Sequence, residues 1–234
     1  MILGIRPTLC VLVLAAVPTL AAQGRGAGPQ SAPAPQAAPV AVERLGKDLF
    51  RLGQVRVNTA TREVTVPGSV NPVSTLEFLA NTPRGLKAYE SALTLESDGV
   101  TFNTALVLIG LERSNARMLP DKTIDGDRVE LWVEIPGPPL KKFRAERLVF
   151  DRATNQELPV SHWVYSGSMF QPNGRYLSDV DGVLIGFVHS RAAVIEHPDT
   201  VGVGRYGSVV LNPNLGLLPG TAVTLTVKAI AATP

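Results

Sequence analysis

The side chains best suited to chemistry in this 234-residue sequence fall in one short stretch and two isolated spots. Lys87, Glu90 and Ser91 gather a cation, a carboxylate and a hydroxyl beside an apolar segment. Ser168 sits in Ser166-Gly167-Ser168, and Asp179 opens Asp179-Val180-Asp181-Gly182. These five are the candidate binding residues. Glu90, Ser91 and Ser168 also supply the enzymatic alternative, a small hydrolase. Nothing matches Gly-x-Ser-x-Gly, and no histidine is spaced to serve a particular serine. A triad is defined by geometry, so distant residues can converge. No catalytic residue is assigned on these grounds.

Other patterns exclude more than they offer. His162, His189 and His197 lack the i, i+4 spacing of a helical metal site, and no metal is expected. Asp179-Val180-Asp181-Gly182 begins like a calcium loop but lacks the later oxygen ligands and the closing glutamate. Its Asp-Gly pair reads as a hairpin turn. Gly202 to Gly207 fits G-x-G-x-x-G, yet it precedes a strand-like run where a dinucleotide loop must open a helix. It reads as a surface loop, and no cofactor is expected.

The elements around the first cluster decide how its side chains face. Leu76, Phe78 and Ala80 alternate with Glu77, Leu79 and Asn81, which predicts a strand with one buried face. Thr82-Pro83-Arg84-Gly85 predicts a turn. Tyr89, Ser91, Leu93 and Leu95 then share one face of a returning strand, so the pair reads as a β-hairpin. On a strand, Lys87 and Glu90 point to opposite faces. An interior Glu90 would need another cation, and Arg128 or Arg147 is the expected partner. Asp98 or Thr101 offers a helix cap. Ala105 to Leu111 has no polar side and predicts a buried helix that includes Leu108.

Elsewhere the signals are of short strands. Val55/Val57 and Val64/Val66 flank a turn. Arg128 to Ile135 alternates cleanly. Phe143 to Asp151 is a strand broken at Arg147, and His162 to Phe170 another. Tyr176–Asp179 and Val183–Val188 read as a hairpin about Asp181-Gly182, and Ala222–Lys228 closes the chain. The fold class expected is α+β, mainly antiparallel β-strands packed around one buried α-helix.

Order along the chain adds a resemblance. VNTATREVTVPGSVN is followed by LEFLANTPRGLKAYESALTL and then TALVLIGLE. Leu76-Glu77-Phe78-Leu79, Gly85, Lys87, Glu90-Ser91 and Ala105 to Gly110, in that order, resemble the YdjY-like domain of bacterial envelope proteins. Leu86 is an extra residue between the glycine and the lysine. The likeness is strongest over Val55 to Leu111, with a weaker echo at Tyr165 to Phe170. It implies an envelope location and no particular activity.

Composition sets the remaining bounds. Met1 to Ala22 has the charge, apolar core and small residues of a signal peptide. Residues 23–42, rich in Pro, Ala, Gly and Gln, read as a disordered linker, and 43–234 as one YdjY-like domain. The only cysteine, Cys10, falls in the signal peptide, so the mature chain is expected to hold no disulfide and no Cys-ligated cluster. A formal charge of +2 without a basic run argues against nucleic acid. The apolar core is short for a membrane span, so no transmembrane segment is expected after cleavage. The reading is an exported, periplasmic or extracellular protein. It acts as a non-catalytic binding or scaffold module for an envelope or extracellular ligand of unknown identity.

Overall fold

The computed structural model describes residues 40–202 and 204–231. The expected signal peptide and most of the linker lie outside the described residues. The expected α+β fold with a central helix is not what forms. The chain builds a closed eight-stranded β-barrel with extra strands and only two α-helices among the described residues, so the sheet and not a helix is the frame.

The barrel strands are β1 (Glu63–Val70), β2 (Phe78–Asn81), β3 (Ser91–Leu95), β4 (Arg128–Ile135), β5 (Trp163–Tyr165), β6 (Val183–Gly186), β7 (Ile195–Glu196) and β8 (Ala222–Ala229). They pair in the order β1–β8–β4–β5–β7–β6–β2–β3, and β3 returns to β1. β2–β3 and β6–β7 are parallel. The other neighbours are antiparallel.

Alternation explains the long strands. Val129, Leu131 and Val133 of β4 and Val223, Leu225 and Val227 of β8 are buried, with polar residues between. Strands Glu43–Arg44, Leu49–Leu52 and Val55–Asn58 extend the sheet beyond the first half of β1. The second half of β1 turns instead to β3, with Gly68 opposite Leu95. The switch falls at Pro67-Gly68. A Cβ at Gly68 would lie 2.4 Å from the Thr94 carbonyl oxygen, so only glycine lets the two backbones meet. β4 changes partner in the same manner, from β5 at Arg128–Val129 to strand Lys141–Arg144 at its other end.

Two parts of the sequence reading change for identifiable reasons. Phe78–Asn81 and Ser91–Leu95 form no hairpin. Successive tight turns (Gly85 N to Thr82 O, Ala88 N to Gly85 O, Glu90 N to Lys87 O) bring the chain back to start β3 alongside β2. A buried amide network fixes that pairing: Asn71 donates to Asn81 and to the Ser91 carbonyl, and Thr94 donates to Asn71. Asp181-Gly182 is not a hairpin turn either. It ends helix α2 (Leu177–Asp181), and Gly182 takes the left-handed cap conformation at φ 75°.

The Ala105–Leu111 run lies partly in helix α1 (Gly99–Leu108), capped by Asp98, whose side chain accepts from Thr101 N. At the other end Arg62 donates to the Ile109 carbonyl. Phe102, Ala105 and Leu106 are buried, but Val107 is 51% and Leu108 37% exposed. The run is apolar all round, yet one face looks outward, so Leu108 is not the core position that the pattern suggested.

The partner switch gives a direct test. Gly68→Ala forces a methyl against a backbone carbonyl that has no room to yield. Overpacking typically costs ~1–3 kcal/mol, and we expect the top of that range in denaturant melts of the folded domain. A variant as stable as the parent would mean that β1 and β3 do not meet at Gly68.

Candidate functional site

Four short segments converge on one cleft. Arg113 and Arg117 come from the segment after α1, Ser168 from the turn after β5, and His189 and Arg191 from the loop between β6 and β7. Glu196 comes from β7 itself. Together they line a cavity of about 320 Å³.

Its base is Glu196. β7 continues the buried run Ala192 to Ile195, so the carboxyl is carried inward with its strand and is 3% exposed. One oxygen accepts from the Ser190 backbone N–H at 2.8 Å. Among the described residues it has no other hydrogen bond and no ion pair. Burial pushes this carboxyl up to about 7, against an ordinary 4.5, and the Ser190 bond offsets little of that. A buried, unpaired acid in a cleft marks a working site more often than a structural one.

The rim is cationic. Arg113 donates through Nε to the Ser168 carbonyl. Its terminal nitrogens, and the whole Arg191 guanidinium, have no carboxylate partner among the described residues. Arg117 is paired to Asp125. The turn that receives Arg113 is built for it. Gly167 and Ser168 both have positive φ, 70° and 48°. A Cβ on Gly167 would come within 2.9 Å of the Arg113 side chain. A serine in that conformation is strained, and such strain gathers at functional positions.

The hydroxyls and the imidazole here are already engaged. Ser168 Oγ donates to the Arg191 carbonyl at 3.3 Å, and Ser166 Oγ to the Ala193 carbonyl at 3.0 Å. His189 Nε2 is 3.0 Å from the His197 carbonyl oxygen, so that nitrogen carries the proton. No serine–imidazole bond is made among the described residues. The cleft can therefore hold an anion between guanidiniums, with a carboxyl able to donate a hydrogen bond while it is protonated.

The other sequence-selected residues lie elsewhere. Lys87 and Glu90 do meet, at 3.1 Å, because Ala88–Glu90 is a 3-10 turn that puts residues three apart on one side. The strand assumed there would have separated them. Glu90 is buried and also accepts from the Tyr206 hydroxyl at 3.2 Å. Arg128 and Arg147 face Asp125 and Glu157 instead. Glu77 lies close by; burial first, and then the Glu90 charge, raise its carboxyl. This cluster pins the glycine-rich loop around Gly202–Gly207 to the 3-10 turn. Ser91 is buried and donates to the Lys87 carbonyl at 2.8 Å. Asp179 accepts from Gly99 N, tying α2 to the start of α1. Only Ser168 of the five lines the arginine cleft.

Sequence reasoning passed over Glu196, Arg113 and Arg191. Glu196 had a signal: a carboxylate that continues an apolar run must be either paired or functional. The arginines had none, since separate loops bring them together.

A closed β-barrel with a cationic cleft over a buried acid is thus the class that the fold and site define. The YdjY domain matches residues 55–228, spanning β1 to β8, and the chain belongs to that family. No curated protein matches the chain, and no solved structure matches it.

The buried acid carries a stability signature. In the native state Glu196 keeps its proton up to about pH 7, while the unfolded chain releases it near 4.5. Stability therefore falls as pH rises between these values, by about 3 kcal/mol in total. Glu196→Gln keeps the acceptor for Ser190 and removes the charge. We expect it to raise the melting temperature at pH 8 and to leave it unchanged at pH 4.5. Equal melting curves at pH 8 would mean that the Glu196 carboxylate has a partner.

Proposed function

We propose that this protein is a non-catalytic binding module exported to the cell envelope, whose cleft takes the anionic group of a small ligand. The observation behind it is that one cavity is lined both by guanidiniums, Arg113 and Arg191, and by a buried acid, Glu196, none of which has an ion-pair partner among the described residues. A fold gains nothing from that combination unless a ligand supplies the missing charge. Paired and hydrogen-bonded, each guanidinium contributes about 1.5–3 kcal/mol to holding an anion. Export rests on the charge–apolar–small pattern of Met1 to Ala22.

The hydrolytic reading would need a serine hydroxyl bonded to a base. The Ser91 and Ser168 hydroxyls donate instead to main-chain carbonyls. Binding is therefore the better-supported use of the same residues.

Calorimetric titration of the full chain with butyrate and with inorganic phosphate tests this. We expect saturable binding at pH 6 that weakens at pH 8, as Glu196 ionises and repels the anion. Arg113→Ala with Arg191→Ala should weaken it at least tenfold. No saturable binding of either anion would refute the reading, as would ester hydrolysis abolished by Ser168→Ala.

A further inference from the structure

The arginine cleft has a neighbour on the other side of Arg113. A second groove of about 380 Å³ shares Arg113, Ser168 and Met169 with it and runs on toward α1. The character changes along the way. Beyond Arg113 the apolar lining is Val107, Leu111, Tyr165, Met169, Phe170 and Tyr176, and Asn103, Glu112 and Ser114 add polar groups at its edge.

Several features of this groove are unusual for a surface left to water. Val107 on α1 is 51% exposed, and Phe170 on the facing segment is 58% exposed. Phe170 rests against Tyr176 with ring centroids 5.0 Å apart, so it is held on the rim. The tyrosines of the floor are buried, and their hydroxyls are spent: Tyr165 donates to Asn103 at 2.7 Å and Tyr176 to the Gly167 carbonyl at 2.8 Å. An apolar surface of this kind bordered by charge marks an interaction site.

We infer that the adjoining cleft and groove form a site for a single-chain anionic amphiphile, its head between Arg113 and Arg191 and its alkyl chain along Val107, Met169 and Phe170. The inference rests on the anion-binding reading above and names the ligand class for it. Charge complementarity fixes the head, because neither Arg113 nor Arg191 has a carboxylate partner among the described residues. The chain follows from the apolar stretch Val107, Leu111, Met169 and Phe170. A peptide would bring N–H and C=O groups that must be bonded when buried. The floor hydroxyls are already committed, whereas an alkyl chain has nothing to satisfy. The Pro- and Ala-rich segment of this chain, Gln23 to Val40, contains no Asp or Glu to answer the arginines.

Carboxylate and phosphate heads share this chemistry, so the test carries both. The full chain is titrated calorimetrically with straight-chain carboxylates from butyrate to dodecanoate and with alkyl phosphates of the same lengths, below their micelle concentrations. Burial of methylene groups at about 0.8 kcal/mol each predicts affinity rising about fourfold per carbon until the groove is full. The series with the tighter short members identifies the preferred head. Phe170→Ser and Val107→Ser, both at exposed positions, should each reduce the slope of affinity against chain length. Arg113→Ala should weaken every member. Saturable butyrate or phosphate binding without any chain-length slope would overturn the amphiphile and keep the anion site. Binding by no member of either series would overturn both readings. An apolar tetrapeptide with a free terminal carboxylate that bound more tightly than decanoate would transfer the groove to peptides and also overturn the inference.

Discussion

The barrel depends on a backbone contact at Gly68. β1 pairs with β8 along its length, but on its other side it must leave strand Val55–Asn58 and meet β3. Pro67 offers no N–H to a neighbour, so the ladder can break there. Gly68 then lets the Thr94 carbonyl approach more closely than any side chain would permit. Without that approach the eight strands would remain an open sheet with β3 at an edge. Closure removes that edge. Three short strands, β5, β7 and β6, complete the circle between β4 and β2.

Short strands are what make the cleft. β7 is only Ile195–Glu196, parallel to β6 and antiparallel to β5. Its second residue is therefore both a strand residue and the floor of a cavity between loops. The loops that flank it carry Arg113, Ser168 and Arg191. Glu196 is positioned by the frame, and its neighbours by loops that the frame holds close. The acid weakens the fold when ionised, because no cation among the described residues pairs with it. Arg144 and Glu146 show the contrast. Glu146 is fully buried too, but it is paired to Arg144 at 2.8 Å and accepts from Trp163 at 3.2 Å. Among the described residues the other buried acids, Glu90 and Glu146, are each paired to a cation, and Glu196 is not.

Much of the frame was legible in the chain. The alternation in Arg128–Ile135 and Ala222–Lys228, the hairpin of Val55/Val57 with Val64/Val66, and the break at Arg147 all carried their own signals. Arg147 lies in the 3-10 turn Ala145–Leu148 between two strands. The failures have local causes. An all-apolar run suggested a central helix, but α1 keeps Val107 and Leu108 outward, where the groove uses one of them. Two strands separated by a turn suggested a hairpin, but their direction was decided by long-range amide contacts through Asn71. Asp-Gly marks positive φ in a hairpin and in a helix cap alike, and only tertiary context separates them. The Lys87–Glu90 pair was hidden because a 3-10 turn has a different period from a strand. The cleft itself was hidden because its parts are distant in sequence, and Ser168 alone among the chosen residues reaches it.

Glu196 is a buried acid with no ion-pair partner among the described residues, and the proposed binding cleft rests on it. Carbon-13 NMR titration of the glutamate carboxyls, with Glu196 assigned by its loss in Glu196→Gln, addresses this directly. The account predicts a midpoint near 7 in the ligand-free protein. A midpoint at the ordinary glutamate value of about 4.3 would contradict it, because the carboxylate would then be solvated or paired and the cleft would have no unmet charge at its base.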